Sequence, residues 1–233
     1  MRLSVVMPVY SEDESIKELI SYFFSNLNEY IHEVIIIYHP DSKNECLDIL
    51  NNLNNNYQKI KIFPQDMKEI GGNGNAYRQG FKHITGSHVL MIDSDGEMDV
   101  ETVPLMINKM KEKNCDIVIG SRFVKGGGIV NYPLNKLILN ITFQYIFRLL
   151  FLTKIKDLTC GYKLLKKEII NKYKWTSRYQ DIGSETTLRP LRGKDYLEEV
   201  ATVWTRKKGE KHSLSLIGNF RYPILAIKVL LKI

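Results

Sequence analysis

Residues 88–99 read HVLMIDSDGEMD, and this stretch decides how the rest of the chain is interpreted. Its apolar beginning, His88–Ile92, predicts a short buried strand. Four carboxylates follow within seven residues, and like charges this close repel unless something neutralises them. A hard divalent cation would do so, because Mg²⁺ binds carboxylate oxygens together with substrate phosphates. If the chain turns at the glycine, alternate carboxylates converge, which predicts a metal site formed by Asp93, Asp95 and Glu97.

The alternative interpretation of this stretch is a solvated acidic turn that caps the next helix. Acidic residues favour helix N-termini, and we expect Asp99 to take that role before a helix at Val100–Lys113. An EF-hand calcium loop is excluded because the downstream glutamate and the ligand spacing are wrong. For Asp93 and Asp95, which directly follow a strand, we favour metal binding.

Short apolar runs alternate with helical patterns over roughly the first 120 residues. This alternation predicts an α/β fold with a mostly parallel sheet flanked by helices. The other predicted strands are Leu3–Pro8, Val34–Ile37, Lys59–Phe63 and Asp116–Gly120. Ligands of such sheets bind at the carboxyl ends of the strands. Four segments fall at those ends: Pro8–Glu12, Tyr38–Asp41, Asp93–Asp99 and Gly120–Arg122.

Composition and charge narrow the class of protein. The 233 residues are 44% hydrophobic, enough for a sizeable core. The chain has 33 Lys and Arg against 26 Asp and Glu, which gives a net charge of +7. This charge suits binding to an anionic partner, and it equally suits solubility alone. The three cysteines form no CxxC pair, so we expect a reduced, cytosolic compartment. We expect neither a signal peptide nor a membrane span, because no apolar run approaches about 18 residues.

Two sets of motifs resemble a known family. The first set resembles the inverting glycosyltransferase family 2, with its GT-A (Rossmann-like) fold: Pro8–Tyr10, Gly72–Ala76, Arg78, Gly80 and Ile92–Asp95. The second set is similar to the dolichol-phosphate mannose synthase, or polyprenyl-phosphate glycosyltransferase, branch: Gly120–Phe123, Gly126–Gly128, Asp157–Lys163, Glu185 and Trp204–Glu210. An Asp-x-Asp pair alone is weak evidence, but its order with the later motifs is strong.

The resemblance implies a role for each matching residue. Asp93, Asp95 and Glu97 would hold Mg²⁺ or Mn²⁺ against the donor diphosphate. Arg122, helped by Lys136, would hold the acceptor phosphate, and Arg206 would pair with donor phosphates. The implied catalytic residues are Asp95, Arg122, Asp157 and Glu185. Further implied substrate-binding residues are Pro8, Tyr10, Glu12, Gly74 and Ser94, with Lys211 and His212 as looser candidates.

The chain departs from the family after the second strand. The usual Asp-Asp-Gly-Ser run, which contacts base and ribose, is replaced here by residues 38–42, YHPDS. We expect Tyr38 or His39 to stack on a base and Asp41 to supply the missing carboxylate. Either the nucleotide differs from the usual UDP or GDP, or activity has been lost.

Two helices are predicted to lie in a membrane interface. Over Leu134–Thr153 the polar residues recur every four positions and so share one helical face. That stripe is Lys136, Asn140, Gln144 and Arg148, and the apolar remainder is Leu137, Ile138, Phe143, Phe147, Leu150 and Phe151. A C-terminal helix has a basic stripe of Arg221, Lys228 and Lys232 beside Tyr222, Ile224, Leu225, Val229 and Leu230. Basic stripes suit anionic headgroups; the alternative is that both are core helices.

The sequence therefore predicts a GT-A catalytic domain over residues 1–215 and an amphipathic basic helix over 216–233. The expected function is inverting transfer of a sugar from a nucleotide-sugar to a polyprenyl-phosphate-type lipid. The expected location is cytoplasmic, peripheral on the inner face of the membrane. One alternative is a hydroxyl acceptor, which needs a general base such as Asp157 or Glu185; another is a non-catalytic nucleotide-sugar-binding relative. Nucleic acid binding ranks last, because no RNA-binding motif is recognisable.

Overall fold

Strands and helices alternate through the part of the chain that the structure describes, residues 1–10, 14–68, 71–207 and 220–232 of a computed structural model. The strands are β1 (Leu3–Val9), β2 (Ile31–Tyr38), β3 (Ile60–Pro64), β4 (His88–Met91), β5 (Ile117–Ser121), β6 (Gly128–Val130), β7 (Lys163–Lys166), β8 (Leu197–Ala201) and β9 (Val203–Thr205). The helices are α1 (Ser15–Asn26), α2 (Asn44–Asn56), α3 (Asn73–Gly80), α4 (Thr102–Lys113), α5 (Leu134–Leu150), α6 (Lys167–Lys172), α7 (Ile182–Arg192) and α8 (Arg221–Leu231).

Seven of these strands form one sheet in the order β3-β2-β1-β4-β7-β5-β8. All neighbours pair in parallel except β7, which runs antiparallel to both β4 and β5. The predicted mostly parallel α/β sheet is thus confirmed. Because β7 lies between them, the ends of β4 and β5 are about 10 Å apart at the typical strand spacing. The end of β4 carries one half of the candidate site and the end of β5 carries the other half.

The sheet is apolar because helices cover both of its faces. Every residue of β1 is buried, as parallel strands covered on both sides require. Helix α3 packs closely on β1, since a Cβ added at Gly80 would lie 2.4 Å from Cγ1 of Val6. A 3₁₀ turn at Phe81–His83 follows the α-helix.

The C-terminal helix α8 packs on α7. Its residues Leu225, Ala226 and Val229 are buried in the same hydrophobic core as the sheet. The predicted domain boundary at residue 215 lies outside the described residues. No helix among the described residues has the length and apolar character needed to cross a membrane.

One buried carboxylate ties β1, β2 and β3 to the turn before β4. Glu33 on β2 is 2% exposed. Its Oε1 accepts from the hydroxyl of Ser4 over 2.6 Å and from the N–H of Thr85 over 2.6 Å, and its Oε2 from Nζ of Lys61 over 2.8 Å. Burial alone would raise the pKa of Glu33, but these donors outweigh it and hold the pKa at about 2.

Glu33→Gln is expected to lower the free energy of unfolding at pH 7 by about 2 kcal/mol, less than the full shift because Lys61 is partly solvated. The contribution is present above the unfolded pKa of about 4.3 and is lost as the pH falls through the folded value. Urea unfolding at pH 7 and pH 2.5 measures it, with exposed Glu18→Gln as the control. An equal difference between wild type and variant at both pH values would contradict this role.

Candidate active site

The carboxyl ends of β1 and β4 are tied together at the middle of the sheet. The hydroxyl of Ser94, just after β4, donates to the carbonyl oxygen of Pro8 over 2.7 Å. Ser15, at the start of α1, donates to the carbonyl oxygen of Ser94 over 3.2 Å. The predicted substrate-binding residues Pro8 and Ser94 therefore lie together at the edge where such sheets bind ligands.

The end of β2 brings the predicted base-binding residues next to the end of β1. The rings of Tyr10 and His39 meet edge-on with centroids 4.9 Å apart, and Tyr10 is exposed. The N–H of Asp41 donates to Nδ1 of His39 over 3.1 Å, which orients the imidazole. Tyr38 packs partly against the core. An open aromatic pair beside a carboxylate is suited to a nucleobase; Glu12 lies outside the described residues.

The acidic turn after β4 is held from three sides. The hydroxyl of Tyr77 donates to Oδ1 of Asp93 over 2.9 Å, and the N–H of Glu97 donates to Oδ1 of Asp95 over 2.9 Å. Gly96 makes the turn with a φ of +69°. Glu97 is buried, and its Oε1 accepts from the N–H of Lys207 over 2.8 Å. Its carboxylate thus anchors the segment that carries Arg206, and its place among the metal ligands stays a prediction.

Asp93 and Asp95 fit a divalent cation that shares its ligands with substrate. Both side chains are half-buried at the end of β4. Among the described residues, no group of three or more His, Cys, Asp and Glu side chains converges as a metal site. Mg²⁺ is commonly bound through one or two carboxylates, with phosphate oxygens and water completing the shell. Two half-buried carboxylates at the end of β4 match that donor set.

Across the gap, Arg122 follows β5 and forms a buried ion pair with Asp157. Its Nε donates to Oδ2 over 2.7 Å and its Nη2 to Oδ1 over 2.8 Å, a two-pronged geometry. Nη2 also donates to the hydroxyl of Thr159 over 2.8 Å. Burial alone would raise the pKa of Asp157, but the guanidinium outweighs it and holds the pKa below its usual range. The pair is therefore charged at neutral pH.

Two tyrosines that the sequence did not single out as site residues are affected by the charges of site residues. Burial raises the pKa of Tyr132, and the positive charges of Arg122 and Arg206 oppose the rise. Burial also raises the pKa of Tyr222, with Asp93 adding to the rise and Arg122 opposing it. Tyr222 comes from α8, and its ring meets Phe143 of α5 at 5.9 Å; no local sequence signal places it there. Lys211 and His212 lie outside the described residues.

Glu185 is buried on α7, and its carboxylate already accepts hydrogen bonds from protein groups. Its carboxylate accepts from the N–H groups of Thr176 and Ser177 over 2.9 and 2.8 Å and from Nε of Arg189 over 2.7 Å. Asp157 is equally enclosed by its own partners. Both carboxylates are engaged by protein groups, and their place among the catalytic residues stays a prediction.

The glycine segment before α3 packs against protein. A Cβ added at Gly74 would lie 2.3 Å from the carbonyl oxygen of Tyr179. The N–H of Gly72 donates to the carbonyl oxygen of Arg178 over 2.8 Å. Gly74 therefore serves the close approach of two loops, and its substrate-binding role stays a prediction.

The polar stripe of α5 is turned toward the protein, beside the Arg122–Asp157 pair. Gln144 is buried, and its amide reaches the hydroxyl of Thr159 over 2.9 Å and accepts from the N–H of Leu158 over 2.7 Å. Phe147 is buried on the same side, and Lys136 is half-buried. The outward face is apolar instead: Leu134, Ile138, Leu139, Ile141, Tyr145, Ile146, Leu149 and Leu150 are exposed.

With this geometry in place, comparison with known proteins identifies the family. The family model for glycosyl transferase family 2 matches residues 4–174. The chain belongs to glycosyl transferase family 2. A crystal structure of glucosyl-3-phosphoglycerate synthase from Mycobacterium tuberculosis with Mn²⁺, UDP and glucosyl-3-phosphoglycerate has a TM-score of 0.72 at 13% identity, covering 98% of this chain and 80% of that chain. That likeness confirms the GT-A fold.

Two curated proteins of this family are similar in sequence. The dolichol-phosphate mannosyltransferase of Pyrococcus furiosus is 28% identical over 172 residues, 73% of this chain and 47% of that protein. The dolichyl-phosphate beta-glucosyltransferase of Saccharomyces cerevisiae is 28% identical over 236 residues, 92% of this chain and 70% of that protein. The chain therefore spans about half the length of the Pyrococcus relative, and both relatives belong to the branch that the motifs resemble.

Asp157→Ala is expected to lower the free energy of unfolding by about 3–5 kcal/mol, because it leaves the buried Arg122 charge without a partner. The matched control is Lys17→Ala, which breaks the exposed pair with Glu14 and is expected to cost less than about 1 kcal/mol. Chemical unfolding monitored by circular dichroism measures both. Similar losses for the two variants would show that the Arg122–Asp157 pair does not hold the site together.

Proposed function

We propose that this chain transfers one sugar from a nucleotide-sugar to a polyprenyl-phosphate-type lipid, with inversion at the anomeric carbon. The observation that carries the proposal is the guanidinium of Arg122, held beside α5 by Asp157 and Thr159. Asp157 and Glu185 are both buried and engaged, whereas the Arg122 cation lies at the end of β5. A phosphate acceptor suits this arrangement, because it is already an anion and needs positioning more than deprotonation.

The donor half is proposed to use Asp93 and Asp95 with Mg²⁺ or Mn²⁺. The metal would act as a Lewis acid that stabilises the departing nucleotide diphosphate. Tyr10 and His39 would hold the base, and Arg206 would pair with the donor phosphates. The M. tuberculosis enzyme of the same fold was crystallised with Mn²⁺ and UDP. Its structure supports the binding of a nucleotide donor by this fold.

The acceptor half is proposed to hold the lipid phosphate at Arg122. Its Nε and Nη2 are taken by Asp157 and Thr159. Within the described part of the chain Nη1 donates no hydrogen bond, and it would donate to a phosphate oxygen. Lys136, half-buried on α5, would add a second positive charge. The names of the two curated relatives support a dolichol-linked phosphate as the class of acceptor.

Binding to the inner face of a membrane is proposed to occur through the outward side of α5 and α8. On α5 and just beyond it, Tyr145 is 73%, Leu149 68% and Leu152 89% exposed. On α8, Ile224 and Ile227 are exposed as well. Contiguous apolar surface of this kind marks a membrane or protein contact. An apolar lipid acceptor favours the membrane.

The proposed acceptor is tested by offering a phosphorylated prenol and the same prenol without phosphate, with UDP- and GDP-sugars and Mn²⁺. Transfer to the phosphate alone is expected. Arg122→Lys keeps the positive charge but loses the planar guanidinium with its paired N–H donors. We expect kcat/KM to fall by about two orders of magnitude, where each decade corresponds to about 1.4 kcal/mol of transition-state stabilisation. Nucleotide affinity and circular dichroism are the controls. Equal transfer to both prenols would favour a hydroxyl acceptor, and binding of nucleotide-sugar without any transfer would favour a non-catalytic relative.

The proposed membrane contact is tested by Leu149→Ser combined with Leu152→Ser. Each removes an exposed apolar side chain, so the fold should be unchanged while binding to phosphatidylcholine–phosphatidylglycerol vesicles falls several-fold. Leu105→Ser, which alters a similarly exposed leucine on α4, is the matched control. Co-sedimentation that is equally strong for all three proteins would rule out this face as the contact.

A further inference from the structure

Tyr77 makes a contact that neither the fold nor the sequence motifs account for. It lies on α3, it is 1% exposed, and its hydroxyl donates to Oδ1 of Asp93 over 2.9 Å. Asp93 is one of the two carboxylates at the end of β4 that fit a divalent cation. The hydroxyl therefore reaches from one helix to a carboxylate that would face the donor diphosphate.

The position of the Tyr77 ring is fixed by packing that does not involve Asp93. Its centroid lies 6.2 Å from the ring of Phe81, whose ring meets Trp175 at 6.4 Å. At either end of α3, Gly74 and Gly80 allow close packing on the 178–179 loop and on β1. Helix α3 cannot shift without opening those contacts, so the hydroxyl is held at a fixed point.

The hydrogen bond from Tyr77 to Asp93 joins a buried hydroxyl to a half-buried carboxylate. A hydrogen bond from a neutral hydroxyl to a carboxylate is charge-assisted and directional. It selects one rotation of the Asp93 carboxylate against the repulsion of neighbouring Asp95.

We propose that Tyr77 is a positioning residue that orients the Asp93 carboxylate toward the divalent cation of the donor complex. The inference rests on the metal site of the proposed function and extends it to a residue outside the acidic turn. Partners that orient metal ligands typically contribute 10- to 100-fold in metal affinity. Tyr77 would act through Asp93 and would not touch substrate.

The test compares Tyr77→Phe with Tyr162→Phe. Tyr162 is also 1% exposed, and its hydroxyl donates to the backbone carbonyl of Asp99, in the same acidic turn, over 3.2 Å. Both variants remove one buried tyrosine hydroxyl and one hydrogen bond, but only the first removes a bond to a predicted ligand. Mn²⁺ binding is measured by electron paramagnetic resonance titration, with Mn²⁺ alone and with UDP or GDP added.

Tyr77→Phe is expected to weaken Mn²⁺ binding by about 10-fold or more, and Tyr162→Phe by less than about 2-fold, at similar losses of thermal stability. In turnover assays the Mn²⁺ activation constant should rise, with the KM of the acceptor unchanged. Equal effects of the two variants on Mn²⁺ binding, or a wild type that binds no Mn²⁺ under any of these conditions, would overturn the inference. Normal Mn²⁺ binding without transfer to a prenyl phosphate would count against the proposed acceptor and leave the role of Tyr77 standing.

Discussion

The buried ion pair between Arg122 and Asp157 joins the later segments of the chain to the sheet. Oδ1 of Asp157 also accepts from the N–H groups of Thr159 and Cys160, over 3.2 and 3.1 Å. Gln144 of α5 bonds to the same cluster. One carboxylate thus fixes the end of β5, the 157–160 loop and a helix together. Buried pairs are weak sources of net stability compared with apolar packing, so the stronger consequence here is a fixed geometry.

A second buried charge extends this fixed geometry to α7. Lys163 on β7 is fully buried, and burial lowers its pKa to about 8. Its three N–H groups meet three acceptors: the carbonyl oxygens of Cys160 and Gly183 and the hydroxyl of Thr186. A satisfied buried polar network of this kind is rigid. The acceptor half of the site is therefore preorganised through long-range contacts, whereas the acidic turn of the donor half follows directly from a strand end.

This difference explains what the sequence could predict. The strands β1 to β5 are mostly apolar runs, and the order of the strand ends places Asp93 and Arg122 at one edge without any knowledge of side-chain contacts. Strand β7 was not predicted, because four residues with a lysine at either end carry no strand signal and their pairing is decided by distant neighbours. The motifs located Asp157 and Glu185, but their buried and engaged state depends on tertiary contacts: Asp157 pairs with Arg122, 35 residues away, and Glu185 binds the loop before α7.

The outward, apolar face of α5 has a physical cause that also bears on function. Periodicity shows that a helix has two faces, and it does not show which face is turned outward. Gln144 is drawn inward because Asp157 and Thr159 offer hydrogen bonds that water would otherwise supply, and the apolar face is then left outside. An apolar exterior is unfavourable in water but favourable against lipid. Under the proposed function, one helix would thus serve both parts of an amphiphilic acceptor: its inner face would support the arginine that holds the phosphate, and its outer face would lie along the prenyl chain.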